Sequence, residues 1–190
     1  MKKFELTAES KINIFGKKLF RIKALISFGD VKEGETGGWV EKEENLEQSY
    51  GDAWVSGNAE VYGNARVSGN ARVSGNAEVS GNAEVYGNAR VSGNARVSGN
   101  ARVSGNAEVY GNARVSGNAD YTTIHGFGTQ FRTTTFFRCK DKQIRVSCGC
   151  FFGTISEFRE QVKNTRKGKI AEEYLMIADL MEKHFTEEAK

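Results

Sequence analysis

The residues best suited to chemistry lie in the last third of the chain. His125 and His184 are its two histidines, and Cys139, Cys148 and Cys150 are its three cysteines. A structural zinc needs four N/S ligands in a tetrahedral array. The three thiols with one imidazole would supply them. Cys148 and Cys150, two apart, would share one side of a strand and permit chelation. Cys-x-Cys is looser than a paired Cys-x-x-Cys, and small core residues are the simpler role for all three. We therefore expect no metal and no cofactor. A second group is basic. Lys163, Arg166, Lys167 and Lys169 surround a glycine break, and Arg132, Arg138 and Arg145 accompany apolar strands. With Phe136 and Phe137 as stacking surfaces, these would suit nucleic acid or phosphate. A solvated turn is the simpler reading of the basic run. No P-loop, nucleophile elbow or paired-carboxylate motif is present.

These side chains need elements to hold them. Phe131 to Lys140 and Gln143 to Phe152 are rich in Thr, Phe, Val and Ile and are joined through Asp141-Lys142, which predicts a β-hairpin. Thr154 and Glu157 have capping-box spacing and open a helix with Ile155, Phe158 and Val162 on one side. Lys167-Gly168-Lys169 ends it. Ile170 to Phe185 predicts a second amphipathic helix, with Tyr174, Ile177, Leu180, Met181 and His184 near one stripe. Residues 121–190 thus read as a small α+β module.

The middle of the chain is an array. From Ala53 to Asn118 run eleven consecutive hexads of Ala, variable, Val, Ser or Tyr, Gly, Asn. Ala and Val, two apart, point to one side of a short strand, and the residue between them points away. Gly-Asn supplies a corner, since both residues tolerate positive φ. A Gly-Asn in every hexad excludes a helix. The unbroken phase of Ala and Val argues against low-complexity disorder. Three sides make an 18-residue coil, and stacked coils bury a Val/Ala column. Taking every third hexad sorts the outward residues into three faces: Trp54, Arg72, Arg90, Glu108; then Glu60, Glu78, Arg96, Arg114; then Arg66, Glu84, Arg102, Asp120. Residues 59–82 and 83–106 are one 24-residue block, differing only where Glu78 matches Arg102. That block spans four sides, so each copy rotates its outward residues onto a new face. A site built on one face would be scrambled, so the array reads as a scaffold. Tyr62, Tyr86 and Tyr110 repeat at the same spacing and, standing outward, are candidate interface residues.

The hexads resemble the hexapeptide repeat of left-handed parallel β-helices, although here Ser or Tyr follows the Val and Gly comes one later. The left-handed coil is implied by that resemblance alone. Many such proteins are acyl-CoA transferases with a histidine base on a coil. No hexad here contains His and no loop leaves the array, so His125 is the one base available for that chemistry. Trimers are common among solenoids with flat faces, again by resemblance. Residues 1–48 read as strands around a Gly16-Lys17 turn, with Phe20, Ile22 and Ala24 inward. Gly37-Gly38 allows a tight bend, and Trp39 would cover the first coil. Phe28-Gly29-Asp30-Val31-Lys32, Gly37-Gly38-Trp39-Val40 and Asn45-Leu46 resemble the start of a group of bacterial and prophage hexapeptide solenoids. Arg132-Thr133-Thr134-Thr135-Phe136-Phe137-Arg138 and Cys148-Gly149-Cys150-Phe151 are similar to relatives in phages and prophages of Firmicutes. This implies a mobile-element origin and no activity.

The 190 residues carry a net charge of only +3, which no part concentrates into the field of a dedicated nucleic-acid binder. No apolar run approaches the roughly 18 residues that span a bilayer, and the first ten residues lack the apolar stretch of a signal peptide. An odd cysteine count suits a reduced, cytoplasmic setting. We expect a mainly β protein: an N-terminal β cap (1–48), a left-handed parallel β-helix (49–120) and a C-terminal α+β module (121–190). The expected function is non-enzymatic. A phage-encoded protein would bind and inhibit or sequester a host or defence component through the C-terminal module. Acyl transfer and nucleic-acid binding are the alternatives. No membrane partner is expected, and the chain is a candidate dimer or trimer.

Overall fold

The hexads fold as the pleat requires. In the computed structural model, which describes residues 2–186, each hexad contributes one two-residue strand made of its variable residue and its Val. After β1 (Phe4–Ile12), β2 (Lys18–Ala24) and β3 (Thr36–Val40), these run six residues apart from β4 (Trp54–Val55) and β5 (Glu60–Val61) to β14 (Arg114–Val115). Pairing is parallel and between residues 18 apart, as in Arg90 with Arg72 below and Glu108 above. Three sides therefore close one coil, and the outward residues of β4 to β14 fall on three separate sheets, as their spacing predicts. Asp120, which the spacing puts on the third face, lies instead in a short helix, Asn118–Asp120, and pairs with Arg138. Every hexad Ala and Val is at most 1% exposed. Each coil is too thin to bury a face alone, so the column exists only because coils stack.

The corners differ from expectation in one respect. Glycines from Gly57 to Gly111 have φ of 62° to 70°, but the following asparagines do not enter the left-handed region. Asparagine is there for its amide. Asn70 Nδ2 donates to Asn88 Oδ1 at 3.1 Å, Asn88 to Asn106 at 3.0 Å, and Asn58, Asn76 and Asn94 form a second such ladder at 3.4 and 3.3 Å. Asn76→Ala removes the middle rung of that ladder and should cost about 1 kcal/mol in urea unfolding.

The N-terminal strands are not a unit apart from the array. The sheet order β1-β2-β3-β5-β8-β11-β14 makes them a continuation of the second face. Trp39 pairs with Glu60, and Leu46 bridges Val67, so the first coil starts before the first regular hexad. A single-turn helix, Glu43–Asn45, takes up the extra residues of that coil. Asn45, fully buried, donates to the carbonyls of Gly63 (3.2 Å) and Ala65 (2.8 Å). Gly37 and Gly38 lie within β3 and make no bend. A Cβ on Gly37 would sit 2.5 Å from Ile22 and 2.6 Å from Trp54, and one on Gly38 would sit 2.7 Å from Val55. They are glycines because side chains from two directions close on them. The inward residues of β2 are Leu19, Ile22 and Ala24, while Phe20 is half-buried. A register shift in the β2–β3 pairing between Arg21 and Lys23 accompanies this break in alternation.

The chain divides after Asn118 into two compact units. The second is an antiparallel sheet of β15 (Tyr121–Phe127), β16 (Arg132–Arg138), β17 (Ile144–Cys148) and β18 (Phe151–Thr154), in that order, with α1 (Ile155–Thr165) and α2 (Gly168–Phe185). The expected hairpin is β16–β17, with a flanking strand on each side. Thr154 and Glu157 form the expected capping box. The stripe of α2 is Tyr174, Ile177, Ala178, Met181 and Phe185; Leu180 is 58% exposed and His184 is exposed, because the packed face follows i+3 and i+4 from Tyr174. Phe136, Val146, Phe158 and Tyr174 join that stripe in one core. No helix among the described residues is long and apolar enough to cross a membrane.

Candidate functional site

The array's second face is occupied by its own chain. Glu60 takes Lys11 at 2.7 Å and Asn13 at 3.2 Å, and Glu78 takes Arg96 at 3.0 Å and the Tyr62 hydroxyl. The like-charge neighbours Glu60 and Glu78 are thereby neutralised. The β1–β2 turn places Phe15 over Tyr62, with ring centroids 6.1 Å apart, and over the Arg96 guanidinium. Tyr62 is 8% exposed, so it is not an interface residue as its spacing suggested. Burial and the Glu78 carboxylate hold its phenol well above the usual range. Tyr86 remains 38% exposed beside a shallow hollow that Tyr50 also lines, and Tyr110 is half-buried. On the first face Trp54 is covered by Phe4 and Phe28, and Arg72 is paired with Asp30. On the third, Arg102 reaches Glu84 at 3.2 Å.

The second unit sorts its basic residues differently. Arg138 lies 3.5 Å from Asp120 and donates to the Phe185 carbonyl at 2.9 Å. Arg145 meets Asp141 at 2.7 Å, and Arg159 meets Asp179 and Glu182 at 2.7 Å each. Lys163 and Lys169 pair along their helices with Glu160 and Glu173. Arg132 and Arg166 are the two arginines of this unit with no carboxylate partner among the described residues, and both line one cleft of about 380 Å³. Its walls come from the β15–β16 turn, the Cys148–Phe151 turn, one side of α1 and Tyr174 of α2, and no acidic side chain among the described residues lines it. Phe151, Phe158 and Val162 give it an apolar floor.

Of the candidate site residues singled out by sequence, the cleft brings together Arg132, Arg166, Cys148 and Cys150. Lys163, Lys167 and Lys169 lie outside it, and Arg138 lines a second hollow where its guanidinium is already engaged. Phe136 and Phe137 are fully buried, Phe136 against Phe158 and Phe137 stacked on Phe152. Neither ring is offered to a base, because other side chains cover both faces of the sheet at these positions. Gly149, at φ 62°, ends β17, so Cys148 and Cys150 do not share a strand. Cys139 is buried, Cys148 accepts from the Thr134 hydroxyl at 3.1 Å, and Cys150 is exposed. His125 is exposed on β15, its Nδ1 3.2 Å from the Thr133 hydroxyl.

Sequence reasoning missed Gln130, Gln161 and the cleft role of Tyr174. Tyr174 was legible only as a core residue. Its hydroxyl donates to the Phe127 carbonyl at 3.1 Å, and a Cβ on Gly128 would meet that hydroxyl at 2.5 Å, so the glycine admits the ring. Burial, then the Cys148 thiol, raises the Tyr174 phenol above its usual range.

Comparison with protein families bears on the array. Residues 59–75, 65–81, 83–98, 95–109 and 107–119 match the YdcK beta solenoid repeat. The chain is a β-solenoid repeat protein. The matches begin at the second regular hexad and end where the solenoid does, at the boundary of the second unit. They leave the unit that holds the cleft unmatched. No curated protein matches the chain.

Proposed function

We propose that this solenoid protein is a non-enzymatic binding protein whose contact is made by the second unit, with the solenoid as scaffold. What carries the reading is the pairing of arginines. In a unit that matches its other arginines with carboxylates, the two that line the cleft have none among the described residues. A guanidinium held at a cleft without a carboxylate is electrostatically uncompensated, and an acidic group of a partner supplies what is missing. The array supports the scaffold role, since ion pairs and the N-terminal strands take up much of its faces. The finer reading is a phage- or prophage-encoded protein of the bacterial cytoplasm that sequesters or inhibits a host or defence component. It is supported by the resemblance of residues 28–46 and 132–151 to phage and prophage relatives.

The test is native mass spectrometry of the chain purified gently from cells, in three forms. The parent chain should carry a partner, and the same spectrum reports whether it is a monomer, dimer or trimer. Arg132→Ala with Arg166→Ala should lose the partner while keeping its circular dichroism. Deleting residues 83–100 removes three whole hexads and returns every later strand to its own face, so this form should keep the partner. Loss of the partner on that deletion, with the double variant unaffected, would move the contact to the array and overturn the proposal.

A further inference from the structure

The cleft's lining also specifies the chemistry of its ligand; this step rests on the second unit being the one that makes the contact. Arg132 stands at the start of β16 and Arg166 at the C-terminal end of α1, so two different elements aim guanidiniums at one space. Guanidinium forks match the oxygens of phosphate and carboxylate two at a time. The amides of Gln130 and Gln161 line the same space, and their ability both to donate and to accept suits a heteroatom-bearing ring. Below them the half-buried Phe151 and the buried Phe158 offer an apolar, aromatic surface. A volume of about 380 Å³ falls at the small end of clefts that hold small molecules. It is far too short for a stretch of duplex. Two positive charges, amides and an aromatic floor, with no acid among the described residues, are together complementary to a small phosphate monoester with a flat, nitrogen-bearing body.

We infer that the cleft between the β15–β16 turn and α1 binds a nucleoside phosphate of mononucleotide size, its phosphate on Arg132 and Arg166 and its base over Phe151. Among the described residues neither guanidinium has a carboxylate to release, and Arg166 gives up only a 3.2 Å contact to the Thr165 carbonyl. Neutral nucleosides lack the group the arginines recognise, and inorganic phosphate lacks the surface that Phe151 covers.

The test is calorimetric titration of the full chain with AMP, adenosine and inorganic phosphate at low and physiological salt. AMP should bind, and adenosine and phosphate should each bind at least about tenfold more weakly, the loss expected when a charge-assisted contact or a buried ring is removed. Arg132→Lys with Arg166→Lys keeps the charge but loses the forks, and should weaken AMP by roughly tenfold. Both residues are exposed and hold no carboxylate among the described residues, so this variant should fold; the single Arg166→Lys is the second arm if it does not. AMP binding no tighter than phosphate, or unchanged in the lysine variant, overturns the inference. So does binding of a short oligonucleotide without AMP binding. If AMP fails while a partner is still captured through Arg132 and Arg166, only the ligand class falls and the binding role stands.

Discussion

Val91→Asp is expected to unfold the solenoid's centre, while Arg90→Gln beside it is expected to be nearly silent. Val91 is fully buried and stacked between Val73 and Val109, in a column of valine and alanine. A carboxylate there meets no hydrogen-bond donor and no cation. An uncompensated buried charge costs about 3–5 kcal/mol. Arg90, one residue earlier, points away from the column and is exposed, so its loss should stay within about 0.5 kcal/mol. Burial raises the new carboxyl's pKa in the folded state. The penalty is then smallest below the unfolded value of about 3.9 and grows as the pH rises through it, up to the folded pKa. Urea unfolding at pH 7 and at pH 4 checks both points. A Val91→Asp protein as stable as its parent at pH 7 would mean that the column is not dry. Because coils contact only their neighbours, the damage should centre on the coils around residue 91.

Trp54→Ala should cost about 3–5 kcal/mol, as truncation of a buried Trp generally does. The ring stands on the array's first face, yet it is only 3% exposed. Phe4 and Phe28 meet it edge-on with centroids 6.4 and 5.6 Å away, and Gly37 packs against its six-membered ring. It therefore ties β1 and the Phe28 loop to the first regular coil. Its indole Nε1 is buried without a hydrogen-bond partner, so Trp54→Phe forfeits no hydrogen bond. That variant should recover most of the loss, leaving about 1–2 kcal/mol for the smaller ring. Thermal and urea unfolding of the two variants decide the matter. Equal losses from Ala and Phe would show that the contact is specific to indole rather than to volume.

The same residue marks the limit of reading the chain as a string. Trp54 occupies a position where the other hexads carry Arg or Glu, and periodicity correctly turns it away from the Val/Ala column. Nothing in the period says that a second layer, made from residues 4–28, closes over it. Tyr62 fails in the same way, since it is outward by repeat and buried by the turn that carries Phe15. Gly37-Gly38 reads as a bend and is a close approach. Arg132 and Arg166 stood among seven basic candidates, and only the positions of the carboxylates and of the cleft picked them out. Of those pairs, Arg145 with Asp141 lies four residues apart and was within reach of the sequence, whereas Arg138 with Asp120 joins separate elements.

What the sequence by itself determined is whatever a short-range rule controls. The side of every Ala and Val follows from the pleat. The 18-residue coil and the three sets of outward residues follow from the hexad, and the helix start at Thr154 from its cap. The tertiary structure alone decided which outward residues are covered, which cations are already neutralised, and where a cleft opens. Those depend on contacts between residues as far apart as Tyr174 and Phe127, 47 positions along the chain. No local period encodes such a distance, because burial and charge pairing are set by where elements pack and not by the residues that begin them.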